Sequence, residues 1–289
     1  MATRPTAGIR GALRRLAPAL IAPALLALHL LAAPAAAAPA AEPWPRWQAE
    51  DPASALTVDH SAWSRFLAAY RVVGPDGIAR LRYAAVAPAD RAALDAYLAG
   101  LAAQPVSRLR RAEQRALWMN LYNALTVKTV LDRMPVASIR DIDISPGLFA
   151  DGPWGAKLVV VEGEPLSLDD IEHRILRPIW RDPRTHYGVN CASLGCPDLP
   201  AEAFTAANLE TLLDSAARAY VNHPRGAAVE GGRLVVSSIY DWFEADFGGS
   251  PAGVIAHLRQ HAGPGLRAAL EGVAGIADDR YDWALNGAP

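Results

Sequence analysis

Both cysteines of the chain, Cys191 and Cys196, lie in the stretch Thr185 to Leu199, THYGVNCASLGCPDL, with His186 five residues before the first. Three chemistries suit these residue types. A Cys191-Cys196 disulfide would close a six-residue loop, worth only about 2 kcal/mol of denatured-state entropy, and Gly195 helps so short a loop reach bridging geometry. A metal site would use His186, Cys191 and Cys196, with His173 or Glu172 as a fourth ligand from the preceding helix. Thiolate and imidazole suit zinc, but the H-x4-C-x4-C spacing follows zinc motifs only loosely, and no second close pair of ligands exists. No other cofactor is indicated. A nucleophile needs a thiolate with a base in reach. In an extended strand His186 would point away from Cys191, some 16 Å along the chain at about 3.3 Å per residue, unless the chain bends at Asn190. His173 comes from another element and is freer to approach. Glu172 could then orient the imidazole, and backbone amides after Cys191 could form an oxyanion hole.

The elements that must position these residues are legible from periodicity. DHSAWSRFLAAY and the stretch from Ala89 to about Leu101 have helical spacing, and a longer helix runs from roughly Arg108 to Leu131, before Pro135. IARLRYAAV, AKLVVVEGEPLSL, RLVVSS and THYGVN carry strand patterns. Ser167 with Asp170, and Ser238 with Asp241, resemble capping boxes with Asp in place of Glu. Thr205 can cap a helix whose Leu209, Leu212, Leu213, Ala216 and Tyr220 form an apolar stripe. Helices alternate with strands without regular βαβ units. The fold class is α/β or α+β, a single mixed domain with helices around a small central sheet.

Polar residues interrupt three apolar helix faces. On LDDIEHRIL, steps of roughly 100° place Leu168, Ile171, Ile175 and Leu176 on one arc, with Glu172 inside it and His173 at its edge. EQRALWMNLYNALTVKTVL groups Glu113, Asn120 and Asn123 with Ala116, Ala124, Val127 and Leu131. In IYDWFEADFGG, Asp246 falls among Ile239, Trp242, Phe243 and Phe247, before a Gly248 that can end the helix. Buried polar groups need partners. Glu113, Asn120, Asn123 and Asp246 therefore form either a structural network or the support of a polar pocket. His257 and His261, four apart, suit an exposed helical face, and Tyr281-Asp282-Trp283 suits packing.

The chain begins with Arg4, Arg10, Arg14 and Arg15, followed by an apolar run and the small-residue segment PAAAAPAAE. This order predicts a secretory signal over residues 1–41, with no stable membrane anchor after cleavage and a destination in the bacterial periplasm. Setting aside its four arginines leaves 24 basic against 30 acidic side chains, a formal charge of −6. That balance carries no footprint for nucleic acid. Residues 42–77 read as an N-terminal extension and helix, continuous with a domain over 78–289.

Five blocks in order give the chain a resemblance to a known family: LWMNLYNALT at 117–126, SLDDIEHRIL at 167–176, HYGVNCASLGCPDL at 186–199, IYDWFEADFG at 239–248 and YDWALN at 281–286. From about Ile78 to Asn286 it resembles the domain of unknown function 547 family. The resemblance implies no activity. It does imply members both exported from bacteria and inside plant cells, a distribution that suits a thiol or ligand role better than a structural bridge. The expectation is a thiol-dependent hydrolase or acyl transferase acting on a small molecule, peptide or glycan, with Cys191 attacking, His173 or His186 as base and Glu172 orienting. The rival expectation is a non-enzymatic binding or scaffold domain shaped by a Cys191-Cys196 bridge.

Overall fold

The computed structural model describes residues 1–3, 39–147 and 151–288. The predicted secretory signal lies almost wholly outside these residues. α1 (Ser61–Tyr70) buries Trp63, Phe66, Leu67 and Tyr70, one helical stripe. It runs directly into β1 (Arg71–Val73), which pairs antiparallel with β2 (Ala79–Leu81). α2 (Pro88–Ala102) opens on a proline, where the missing N–H costs nothing, and turns Leu94, Tyr97, Leu98 and Leu101 inward.

α3 (Arg111–Arg133) is the centre of the molecule, with every residue from Glu113 to Val127 buried. A helix buried on all sides is ordinarily apolar all round. This one carries Glu113, Gln114, Arg115, Asn120, Asn123 and Thr126 inside, so each must find a partner. Glu113 accepts the Val58 amide at 3.3 Å. Asn120 takes both polar groups of Phe204, accepting from its N–H at 3.0 Å and donating to its carbonyl at 2.7 Å. Asn123 does the same to the segment before Cys191, donating to Gly188 O at 2.9 Å and accepting from Asn190 N at 2.8 Å. The two asparagines thus replace sheet hydrogen bonds for loops that have no strand beside them.

β3 (Val159–Val161) and β4 (Glu164–Leu166) form a hairpin around Glu162 and Gly163, whose φ values of 45° and 84° suit the primed turns of tight hairpins. A π-helix, Asp170–Leu176, follows and continues into α4 (Arg177–Trp180). Next come α5 (Thr185–Gly188), α6 (Leu209–Val221), β5 (Ala227–Glu230), β6 (Arg233–Ser237) and α7 (Ile239–Trp242). A 3-10 turn Glu244–Phe247, α8 (Pro251–His261), α9 (Pro264–Ala269) and β7 (Ile276–Arg280) complete the chain. β6 pairs antiparallel with β5 and parallel with β7.

The class is mixed α+β, but a single central sheet is not formed. The described strands make three separate small sheets, and α3 occupies the middle. THYGVN is not a strand: the amides of Thr185, His186 and Tyr187 bond back to Asp182, Pro183 and Arg184, winding α5. Local hydrogen bonds win there over β propensity because no sheet edge is available to pair. The helix expected over IYDWFEADFGG breaks at Phe243 (φ −118°) and resumes as the 3-10 turn, which Gly248 ends at φ 105°. Ser167 and Asp170 form the reciprocal cap, whereas Ser238 makes no side-chain cap.

Residues 37–289 form one compact unit with two apolar clusters. The larger gathers Trp47, Trp63 and Trp118 around α3, and so includes side chains from the 42–77 extension. The smaller surrounds Tyr187, Tyr220 and Tyr240. The cysteine segment threads between them, with Tyr187 in one cluster and Val189 and Ala192 in the other.

Asn120→Ala leaves the buried N–H and C=O of Phe204 without partners. Stability is expected to fall by about 3 kcal/mol, read from urea unfolding with an unchanged slope, while Asn120→Asp should lose least at acid pH, where the protonated carboxyl both donates and accepts, and more as pH rises and a buried charge faces the Phe204 carbonyl. A loss within about 0.5 kcal/mol of zero for the alanine variant would show that water replaces the clamp.

Candidate active site

The thiol segment is held by side-chain amides and by backbone bonds to the C-terminal segment. Asn190 donates to Pro197 O at 2.6 Å and accepts from Ala192 N at 2.9 Å, closing the loop on itself. Asn286, from the C-terminal segment, donates to the same Asn190 oxygen at 3.2 Å and accepts from Tyr83 OH at 2.8 Å. The terminal strand then zips along the loop: Leu194 N to Ala284 O and Gly195 N to Asp282 O, each 2.8 Å, and Asn286 N to Ala192 O at 3.0 Å. Ala192 adopts φ 60°, costly for a residue with a Cβ. The clamp of Asn123, Asn190 and Asn286 is what holds it there.

Cys191 is partly exposed and Cys196 is buried, and the two sulfurs are unbridged. Cys191 Sγ lies 3.1 Å from Ser193 Oγ and 3.0 Å from Tyr281 OH, which are themselves 2.9 Å apart. Cys196 Sγ sits beneath, accepting the Cys191 amide at 2.9 Å and facing Val189 O at 3.8 Å. Burial pushes the Cys191 thiol up, but hydrogen bonds from Cys196, Ser193 and Tyr281 outweigh it and bring the pKa down to about 7. Burial and the adjacent Cys191 push Cys196 well above the ordinary thiol value. Tyr281 is likewise raised by burial and by the neighbouring sulfurs, so its phenol stays protonated as a donor.

Tyr281 had no chemical signal in the sequence, being 90 residues from Cys191 in a stretch that reads as packing. The only pointer is Gly195: a Cβ there would come within 2.9 Å of the Tyr281 ring and 2.8 Å of Asp282 N, so the close approach requires glycine.

The histidines take no part in the contacts of Cys191. His186 is turned away by α5 and stacks on Phe243, ring centroids 4.3 Å apart. Its Nε2 lies 2.7 Å from Asp246 and its Nδ1 3.6 Å from Glu172. With both ring nitrogens facing carboxylates, it has no lone pair to take a thiol proton. Burial opposes its charge, but hydrogen bonds to Asp246 and Glu172 prevail and raise its pKa above 6.5. His173 accepts from Arg177 Nη1 at 2.9 Å through Nδ1, so its proton is on Nε2, 3.6 Å from Asp169. Burial drops it to about 4. Arg177 also donates to Asp246 at 2.6 Å. Burial raises Glu172 and Asp246, and their hydrogen-bonding and charged partners more than reverse this, holding both at about 2. The expected pairing of Cys191 with His173 or His186, oriented by Glu172, is therefore not assembled. Glu172, His173, Arg177, His186 and Asp246 instead form their own buried ion cluster, built on the π-helix, whose wider turn sets Glu172 and His173 side by side facing it.

The alternative ligand set His186, Cys191 and Cys196 is not gathered either, since among the described residues no three His, Cys, Asp or Glu side chains are arranged to hold a metal ion. His257 and His261 are buried rather than exposed: they flank Tyr187, with His257 Nε2 2.8 Å from its hydroxyl. Among the described residues no helix is long and apolar enough to cross a membrane.

Fold and site together define a mixed α+β domain presenting a hydroxyl-flanked thiol beside a buried histidine–carboxylate cluster. Residues 106–221 match the model of the family described as "Protein of unknown function, DUF547". The match covers α3, the π-helix and the cysteine loop; Asp246 and Tyr281 lie beyond it. Neither a curated protein nor a solved structure matches the chain significantly.

Asp246→Asn removes the charge that faces both His186 and Arg177, with an expected loss of about 3 kcal/mol at pH 6. A raised histidine pKa stabilises fully below the unfolded value of 6.5 and is lost as pH rises through the folded value. The gap between wild type and variant should therefore narrow from pH 6 to pH 9 without closing, because the Arg177 pair remains. Thermal unfolding across that range is the measurement, and a gap that widens with pH would contradict the assignment.

Proposed function

We propose that the protein is a thiol-dependent acyl transferase or hydrolase acting on an ester or amide, with Cys191 as nucleophile. The observation that carries this is the triangle of Cys191 Sγ, Ser193 Oγ and Tyr281 OH on a partly exposed cysteine. The Tyr281 hydroxyl proton can stabilise the thiolate directly, and Ser193, which donates to Tyr281 OH, strengthens that donor, so no imidazole is required to form the thiolate near neutral pH. On attack the thiolate becomes a thioester sulfur and no longer needs the Tyr281 proton. That phenol then stands 3.0 Å from the reacting atom, placed to protonate the leaving group. Amides of the tight turn after Cys191 that are not taken up by the terminal segment are the candidates for holding the developing oxyanion. The ion cluster of Glu172, His173, Arg177, His186 and Asp246 supports this reading as scaffold, fixing the π-helix against the 3-10 turn.

The same cluster favours a second reading, a binding domain without catalysis, because every member is already paired and none is left facing a substrate. Under either reading we infer from the amino-terminal sequence that the protein works after export, in the bacterial periplasm, on a small molecule, peptide or glycan.

Alkylation of Cys191 by iodoacetamide should show a midpoint near pH 7, and Tyr281→Phe should move it upward, slowing the reaction at pH 7 about fivefold. With p-nitrophenyl acetate, wild type should release a burst of phenolate and carry one acetyl group on Cys191 by peptide mass mapping. His186→Gln, if folded, should keep the burst. A midpoint at the ordinary thiol value, or equal acetylation of Cys191→Ser, would end the nucleophile assignment.

A further inference from the structure

The two sulfurs differ in a way that acyl transfer does not use. Cys191 is partly exposed at the loop surface and touches hydroxyl groups that stabilise its anion, while Cys196 is buried directly beneath it, against the Cys191 amide and the Val189 carbonyl. An accessible attacker backed by a sheltered second thiol is the arrangement that thiol–disulfide exchange requires. In the acyl chemistry the Cys196 thiol forms no bond to substrate and only supports the Cys191 thiolate by hydrogen bonding. Its place under Cys191 is set at some cost, by a loop that carries Ala192 in a left-handed conformation and needs glycine at position 195. The segment between the cysteines is pinned by Asn190 to Pro197 and by Tyr220, whose hydroxyl donates to Gly195 O at 2.6 Å, so Cys196 Sγ is held against the Cys191 amide with both thiols free.

From the partial exposure of Cys191 and the packing of Cys196 Sγ against its amide we infer that the two cysteines form a redox couple that exchanges with an accessible disulfide of a small molecule or another protein. The inference rests on Cys191 being the reactive thiol, and is otherwise independent of acyl transfer. The Cys191 thiolate attacks one sulfur of R–S–S–R, forming Cys191–S–S–R and expelling one R–S⁻. Cys196 then gives its proton, through solvent, to that expelled thiolate and attacks Cys191 Sγ. The Cys191–Cys196 bond forms, the bond to R breaks, and the second R–S⁻ leaves and takes a proton from solvent. Two electrons pass from the protein dithiol to the substrate disulfide, which becomes two thiols, and a dithiol reductant reverses the sequence. While the bridge exists Cys191 cannot attack an acyl group, so the couple also switches the proposed acyl activity off.

The test uses the full mature protein, reduced and then mixed with excess oxidised glutathione at pH 7, quenched in acid and weighed intact. Wild type should become two hydrogens lighter with no lasting adduct. Cys196→Ser should instead retain one glutathione on Cys191, and Cys191→Ser should stay unmodified on the same timescale. Cys196→Ala serves as the second variant if the serine disturbs the loop, with circular dichroism to confirm folding and the wild-type mass alone still decisive. A glutathione adduct that persists on wild type, or adduct formation on Cys196 in Cys191→Ser at the wild-type rate, overturns the inference. Rapid iodoacetamide alkylation of Cys191 together with an unchanged wild-type mass in glutathione overturns it while leaving the nucleophile intact. Loss of both reactions removes the two readings together. Bridge formation with no acetyl burst keeps the redox couple and removes the acyl transferase.

Discussion

The thiol site depends on one constraint: backbone that runs through the protein interior without belonging to a helix or a sheet must still have its N–H and C=O groups paired. Between Gly188 and Pro197 the chain is largely buried and irregular; asparagine side chains pair the backbone from Gly188 to Ala192 and at Pro197, and the C-terminal segment pairs Ala192, Leu194 and Gly195. Asn123 holds the entry to the loop, Asn190 closes its span and Asn286 fixes its far side. An amide is the one side chain that offers a donor and an acceptor side by side, as a peptide unit does. No combination of hydroxyl and carboxylate at those positions could satisfy both backbone groups without also burying a charge. The position of Cys191 is thus a consequence of amide chemistry on α3 and at the C-terminus, remote from it in sequence.

The same logic explains what the sequence disclosed and what it hid. Glu113, Asn120 and Asn123 were visible because they interrupt the apolar periodicity of a long helix, and interruption of a helical face is a local pattern. Their partners were not visible, since Phe204 and Gly188 are chosen by tertiary packing. Glu172 and His173 stood out on LDDIEHRIL for the same reason. The π-helical winding did not, because one extra residue per turn leaves no mark on composition. THYGVN looks like a strand by residue type, yet the amides of Thr185, His186 and Tyr187 close on carbonyls three residues back, and a strand needs an edge to pair.

Among the functional residues, a histidine five positions from a cysteine is conspicuous, and a tyrosine ninety positions away is not. Sequence proximity therefore favoured His186 over Tyr281. The geometry inverts this because α5 turns His186 toward Asp246 while the terminal segment, zipped to the loop by backbone hydrogen bonds, carries Tyr281 onto the sulfur. Gly195 was the legible trace of that contact, since a glycine between two structured residues often marks a close approach. The approach it permits is that of the Tyr281 ring.

The separation of thiol from imidazole also has an electrostatic sense. His186 lies between Glu172 and Asp246, which raise its pKa and neutralise its field within the cluster, and Arg177 shares Asp246 with it. Such a group does little to stabilise an anion elsewhere. The thiolate must then be stabilised by dipoles within contact distance, and the Cys196 thiol with the hydroxyl groups of Ser193 and Tyr281 are those dipoles. Neutral donors lower a thiol pKa less than a paired imidazolium does, which agrees with a value about 7 rather than the much lower values of cysteine–histidine ion pairs. A sulfur poised near neutrality is close to the optimum for attack, because a more acidic thiol is more fully ionised but a weaker nucleophile. Hydroxyl activation therefore suits a site in which the same sulfur must both attack and, once bonded to Cys196, be released again.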